Sequence, residues 1–378
     1  MNRRGKLGLS VVLLFSLLVL LAIGTRTFPP KPGAVVATGS PWVARFSHTA
    51  TLLPNNKVLI AGGMERNGVW LDSAEIYDPV TERFTAAGRM SVARAGATAT
   101  LLPNGKVLVA GGNDGSGASL ATTEIFDPAT NIFTLGPAMI TPRGHANALL
   151  LKNGKVLILG GNRAGDHQPL ASAEIYDPAT GRFTPTGSMA TAHTLGVAVR
   201  LEDGRVLVAG GVSRGSFPDQ VVGAAAEIYD PVTGRFTPTG SLNTARHKVG
   251  AALLRNGKVL VAGGSDTYGW GEIFSSTEIY DPSTGRFSPG PEMKSRRFKL
   301  PDGVVELKDG RVLIAGGAER PEIYDVAAPV LATAAGSPLD GFFFSSATAL
   351  ADGRVLLFGG YGANPSAGAV KRAWIWEP

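Results

Sequence analysis

The chain contains no cysteine. That absence removes disulfides, thiolate nucleophiles and cysteine-ligated metal sites, together with any lipid anchor built on a cysteine. It leaves the compartment open, because a large closed fold needs no covalent staples. Histidine is scarce, with 5 in the whole chain. His48, His145, His167, His193 and His247 show no tight ligand spacing such as H-x-E-x-H or H-E-x-x-H, so no metal site is expected. There is no G-x-S-x-G elbow to support a serine triad. Charge is low: the net value of +6 includes Arg3, Arg4 and Lys6 at the extreme N-terminus, which leaves no clustered basic stripe for nucleic acid.

One long apolar run exists. It spans Leu7–Gly24, 18 residues without a charge, and follows directly on Arg3, Arg4 and Lys6. This is the pattern of an export signal, with Ala22 and Gly24 as the small residues before a cut. The run also reaches the lower limit for crossing a bilayer, so an uncleaved membrane anchor is the competing reading. Either way, residues 1–24 place the folded part outside the cytoplasm. Residues 25–33, with Pro29, Pro30 and Pro32, read as a stiff spacer.

What the chain has in abundance is glycine, and it is placed periodically. A Gly-Gly pair closes an apolar run at Gly62-Gly63, Gly111-Gly112, Gly160-Gly161, Gly210-Gly211, Gly263-Gly264, Gly316-Gly317 and Gly359-Gly360. The successive intervals are 49, 49, 50, 53, 53 and 43 residues. Each unit opens with a strand of small and apolar residues, then an Asn-Gly or Asp-Gly pair such as Asn104-Gly105, with Asn55-Asn56 in the first unit, read as a type I′ hairpin turn. A second strand such as Val107–Ala110 runs into the glycines. The third carries E-I-Y-D-P or a variant (Glu75–Pro79, Glu124–Pro128, Glu174–Pro178, Glu227–Pro231, Glu278–Pro282), and the fourth follows a turn ending in an aromatic such as Phe183. Four antiparallel strands in about fifty residues make one propeller blade. The expected fold is all-β, a seven-bladed propeller over residues 34–378.

The double glycine, the tyrosine after it and the aromatic opening the last strand (Phe84, Phe133, Phe183, Phe236, Phe287) resemble the kelch repeat. That resemblance covers residues 34–378 and implies fold far more than function, since kelch propellers host enzymes and binding proteins alike. Among extracellular kelch enzymes the chain resembles the seven-bladed domain of galactose oxidase, whose copper–radical site uses a tyrosine cross-linked to a cysteine, a second tyrosine and two histidines. With no cysteine and no Tyr-His dipeptide, this chain is expected to lack that activity, and no cofactor is expected.

The seventh unit ends at its third strand, Trp374–Pro378. The segment Ala34–Ser40 looks like a fourth strand and is expected to complete that blade beside the C-terminus, hiding an edge that would otherwise invite aggregation. The N-terminal segment then emerges on the face of the Asn-Gly turns, and the opposite face carries the longer loops, where binding usually resides.

Two sets of residues on that loop face are candidates for ligand contact. Counting back from the inner strands aligns Arg45, Arg94, Arg143, His193, Arg246, Lys299 and Phe342. This row reads either as an electropositive funnel or as clamps to the repeated glutamates. The other set comprises residues that occur once: Trp70, Phe217, Tyr268, Trp270 and Glu272, in loops of which the fourth and fifth are longest. Exposed aromatic rings suit sugar stacking or a protein contact, or they close their own loops. The run Lys294–Lys299 reads as a solvated crossing. No residue set assembles a catalytic group. The expected function is a monomeric extracytoplasmic scaffold that binds a glycan or a protein, with a carbohydrate-acting enzyme of mutarotase or isomerase type as the alternative.

Overall fold

A computed structural model describes residues 33–66, 68–163, 168–215, 219–267 and 271–378. The export or anchor segment and nearly all of the spacer lie outside them, as do Phe217, Tyr268, Trp270 and His167. Among the described residues no helix is long and apolar enough to cross a membrane.

Each repeat folds as one antiparallel sheet of four strands, paired in chain order. Blade two is representative: Thr98–Leu101, Val107–Ala110, Thr123–Asp127 and Ile132–Leu135. Innermost strands touch their neighbours in sequence around the axis, and the strand of blade seven (Ser346–Ala349) returns to that of blade one (Thr49–Leu52). Second strands such as Val58–Ala61 and Val206–Ala209 are buried at every position, because each blade is covered on one face by the blade before it and on the other by the blade after it. Among the described residues the apolar core accordingly divides into seven clusters, one per blade interface. The repeated aromatic pair lies inside these clusters: Tyr77–Phe84, Phe126–Phe133, Tyr229–Phe236 and Tyr280–Phe287 have ring centroids 4.7–4.9 Å apart.

Closure is as the sequence indicates. Ala34–Ala37 pairs antiparallel with the C-terminal strand Ala373–Glu377, matching Ala34 to Glu377 and Ala37 to Trp374. A fifth strand, Ala335–Gly336, then runs parallel along its outer side. The sequence did not indicate this strand, which leaves the closing strand paired on both edges.

The hairpin turns differ from expectation. A type I′ turn needs positive φ at both central residues. In each turn only the second residue is left-handed, Asn56 in blade one and Gly105, Gly154, Gly204, Gly257, Gly310 and Gly353 in the others, while the Asn or Asp before it is not. Leu102 instead accepts the Gly105 N–H at 2.9 Å, and its own N–H reaches Lys106 O at 2.8 Å. This is a right-handed turn followed by a left-handed glycine. The Asn or Asp side chain is used for its oxygen, since Asn104 Oδ1 accepts the Lys106 N–H at 3.1 Å.

The double glycine is the joint between blades. Gly63 N–H donates to Arg94 O of the next crossing, and Gly112 to Arg143, Gly161 to His193, Gly211 to Arg246, Gly264 to Arg297, Gly317 to Phe342 and Gly360 back to Arg45, at 2.7–3.0 Å. A Cβ on Gly62 would lie 2.5 Å from Arg94 O, and one on Gly63 would lie 2.6 Å from Phe46 O. Any side chain would pry the blades apart.

Candidate functional site

The basic row is buried inside the wall. Arg45, Arg94, Arg143 and Arg246 are at most 1% exposed and pair with Glu75, Glu124, Glu174 and Glu278 at 2.9–3.0 Å. Each also donates to the carbonyl of the first glycine in its blade, as Arg94 does to Gly111 O at 2.9 Å. Every glutamate accepts backbone N–H groups from the incoming crossing, as Glu75 does from Trp42 and Val43. In blade six the residue in this row is Arg297, fully buried on Glu322, and Lys299 stands elsewhere. The Lys294–Lys299 run is therefore only partly a solvated crossing: Lys294 and Arg296 are exposed, Arg297 and Phe298 are not. Blade four has His193, with Nδ1 2.6 Å from Gly210 O and Nε2 3.7 Å from Glu227. Blade seven replaces the pair with Phe342 and Trp374, both buried in one apolar cluster. An ion pair that exchanges for an apolar pair at the same site is holding the crossing in place. These residues are clamps, and they do not line a funnel.

His193 leaves its Nε2 without a hydrogen bond in the wall. His193→Arg should restore the missing donors and raise the denaturant midpoint, with a gain of about 1–2 kcal/mol on the scale of one charged hydrogen bond. An unchanged or lower midpoint would argue against the clamp.

Of the loop residues, Trp70 is half-buried in a small hairpin opposite Met64. It faces the neighbouring loop, where a Cβ on Gly115 would lie 3.9 Å from its ring. Glu272 is exposed, and its N–H donates to Asp266 Oδ1 at 2.8 Å. Trp42, which sequence reasoning passed over, is 61% exposed on the first crossing.

The axial end of the loop face holds a feature that residue types alone do not reveal. Just before each inner strand the chain takes a left-handed residue: Ser47, Gly96, His145, Leu195, Lys248, Lys299 and Phe344, with φ between 50° and 61°. Main-chain bonds join them into a collar, including Gly96 N–H to Ser47 O, His145 to Gly96, Lys248 to Leu195, Phe344 to Lys299 and Ser47 to Phe344, at 2.7–3.1 Å. The conformation repeats while the side chain changes at almost every blade. Six of the seven bear a Cβ in a region that favours glycine, and such strain gathers where a scaffold holds a site.

Two of these side chains are lysines on adjacent blades. Lys299 Nζ donates to Tyr361 Oη at 2.7 Å, and lies 4.7 Å from the Phe298 ring centre, 5.2 Å from Tyr361, 5.3 Å from Phe343 and 5.9 Å from Phe344. Burial brings its ammonium down to about 8 and pushes the Tyr361 phenol up to about 12. Burial, with the charge of Lys299 second, brings Lys248 down to about 7. Native Lys248 therefore releases its proton near pH 7, while the unfolded side chain holds it to about 10.5. Over that window the unfolded state binds more protons, so stability rises with pH. Lys248→Met should stabilise most at pH 7 and below, and the gain should fade toward pH 10; a gain independent of pH would contradict the assignment.

Below the collar a cavity of about 260 Å3 is lined by Ser47, His48, Thr98, His145, Asn147 and Asp302, among others. His48 Nε2 lies 2.9 Å from Ser346 Oγ. Burial, then the charge of Arg45, holds its imidazole down to about 3. His247 Nδ1 lies 2.9 Å from Ser265 O, and burial, then Lys248, holds it down to about 4.

Kelch motifs match residues 45–91, 94–140, 148–190 and 251–294. Kelch motifs thus stand in four of the seven blades of this propeller. A solved structure of a fungal alcohol oxidase of the AA5 family, in complex with copper, shares this fold: the TM-score is 0.72 at 18% identity, covering 92% of this chain and 76% of that one. No curated protein matches the chain. The kelch propeller does not offer the donor set of a copper–radical site. It has no cysteine to cross-link to a tyrosine, and among the described residues no group of three His, Cys, Asp or Glu side chains is placed to hold a metal ion.

Proposed function

We propose that this propeller is an extracytoplasmic, non-catalytic binding scaffold that engages a glycan or a protein through its loop face, opposite the face at which the closing strand begins at Ala34. The observation that carries the reading is the contrast between the two faces. On the turn face four of the seven blades repeat one bridge, Lys57–Asp78, Lys106–Asp127, Lys155–Asp177 and Lys258–Asp281, all at 2.9–3.0 Å, and the other three pair Arg205, Arg311 and Arg354 with the turn aspartates Asp203, Asp309 and Asp352. On the loop face the same frame carries a different residue at nearly every collar position and loops of unequal length. A surface under one structural demand stays uniform, and one that recognises something diversifies. The closing strand begins at Ala34 opposite Glu377, at the turn face, and so leaves the loop face to its unequal loops.

A glycan array of wild type beside Trp270→Ala and Glu272→Ala is the direct test. Binding that falls about tenfold or more in a variant supports contact through the fifth loop. Binding that instead follows substitution of Lys57 or Lys106 on the turn face would reverse the reading. The displaced ionisations of Lys248 and Lys299 on neighbouring collar positions favour a second reading, a sugar-isomerising enzyme working at the collar. Faster exchange between the anomers of a free sugar, followed by proton NMR, would establish it in place of simple binding.

A further inference from the structure

Blade seven departs from the others where its crossing comes in on the loop face. In blades two to six that crossing is measured out alike: Met90, Met139, Met189, Leu242 and Met293 donate their N–H to the preceding blade at 2.8–2.9 Å, and the clamp residue follows four positions later. Leu339 makes the same bond, to Glu319 O at 2.7 Å, but Phe342 follows after three. The clamp carboxylate is missing too, since Trp374 stands where Glu124 accepts the Ser91 and Val92 N–H groups in blade two. The approach differs as well: Ala335–Gly336 runs along the outside of the closing strand, and the Ser337 N–H donates to Val35 O at 3.0 Å.

These departures leave a cleft of about 640 Å3 between the crossing that enters blade seven and the segment that leaves it. Ser337–Asp340 line it on the incoming side, Thr38 and Ser40 on the outgoing side, together with Glu319 and Arg372. Arg372 Nη1 donates to Asp340 Oδ2 at 2.7 Å, and the two side chains are 66% and 43% exposed. Thr38 Oγ1 is already committed to Tyr77 Oη at 2.8 Å. The side chains of Ser40, Ser337 and Glu319 are exposed and make no hydrogen bond among the described residues. Trp42 follows Ser40 by two residues, so its Cα lies within about 7 Å of Ser40 by chain length alone. Its ring is 61% exposed and is pinned by Nε1 on Phe84 O at 3.2 Å.

We propose that this cleft is where the loop face takes a glycan, and that its ligand is an uncharged, hydroxyl-rich sugar unit. The inference rests on the glycan half of the proposed function and deepens it, by moving the contact to blade seven. A sugar hydroxyl donates and accepts at once, and the cleft offers both a guanidinium and two carboxylates, with two serine hydroxyls that do either. An anion would meet Asp340 and Glu319, and a cation would meet Arg372, so neither sign is favoured. An apolar ligand would strip water from the Arg372–Asp340 pair and return no hydrogen bond. The volume falls within the roughly 300–1,000 Å3 of small-molecule sites. The Trp42 ring is a stacking platform within reach of a second sugar unit.

The test is calorimetric titration of the full-length protein with the methyl glycosides of glucose, galactose and mannose, beside acetate and methylammonium as charged controls. At least one glycoside should bind, about tenfold or more tightly than either control. Arg372→Ala removes a donor, and Ser337→Trp fills the cleft from an exposed position. Both variants should melt with the wild type and bind that glycoside about tenfold more weakly or not at all. Unchanged affinity in both would overturn the assignment; if affinity fell in Glu272→Ala instead, the loop-face reading would stand without the cleft. If no glycoside binds the wild type and the glycan array is blank as well, the glycan reading falls together with the cleft.

Discussion

Arg94→Ala is expected to destabilise the propeller by about 3–5 kcal/mol, the cost of leaving a buried carboxylate without its partner. Glu124 is 1% exposed and would keep only its backbone donors, Ser91 and Val92. Gly111 O and Thr122 O would each lose an arginine N–H. Arg89→Ala is the control. Its bridge to Asp72 is the shorter of the two, 2.5 Å against 3.0 Å, but the Arg89 side chain is 72% exposed. Screening by water should make its loss far smaller. Blade seven supplies the second arm, because Phe342 and Trp374 already occupy the same two positions. Arg94→Phe alone should cost as much as Arg94→Ala, and adding Glu124→Trp should recover a large part of the loss. Denaturant midpoints decide the matter. Equal losses for Arg94→Ala and Arg89→Ala would mean that the clamp contributes nothing beyond a surface bridge.

The blades were legible because their requirements repeat. The Gly-Gly pair must admit a neighbour's backbone, the second strand must be apolar on both faces, and the aromatic pair must fill each interface; each demand writes itself into the chain seven times or nearly so. The collar was illegible for the opposite reason. What repeats there is a backbone angle, which Ser47, Leu195, Lys248 and Phe344 all adopt without sharing a residue type. Blade six also carries an insertion, visible in principle, since the count from the collar residue to the first glycine is 15 in six blades and 17 in one. Counting from the inner strands instead spans the inserted Pro301 and Asp302, and so puts Lys299 in the register that Arg297 occupies. Burial of the arginines was legible as one of two readings: repetition pointed to clamps on the repeated glutamates, but a row of repeated cations alone reads the same when it faces solvent.

Removing residues 34–37 should have the largest effect of any change outside the second strands. The strand Ala373–Glu377 would lose the partner that pairs it from Ala34 to Ala37, and Ala335–Gly336 would lose its neighbour. An apolar edge containing Trp374, Ile375 and Trp376 would stand open, and open edges recruit other chains. The expected result is soluble oligomer or aggregate in light scattering after gel filtration, where the intact chain is expected to run as a monomer. Trp376→Ala separates packing from pairing. Trp376 is fully buried beside Val35 and Trp374, so its loss should cost about 3–5 kcal/mol while the ladder stays closed and the protein stays monomeric. A permuted chain supplies the converse. Joining Pro378 to Ala34 through a short turn, and opening the chain between Asp203 and Gly204, turns the closing strand into an ordinary hairpin arm of blade seven. The ring gains a covalent link where it now relies on pairing between distant segments, so the permutant should fold and resist denaturant at least as well. If it fails to fold while the truncated chain remains a stable monomer, the ring is not held shut by that strand.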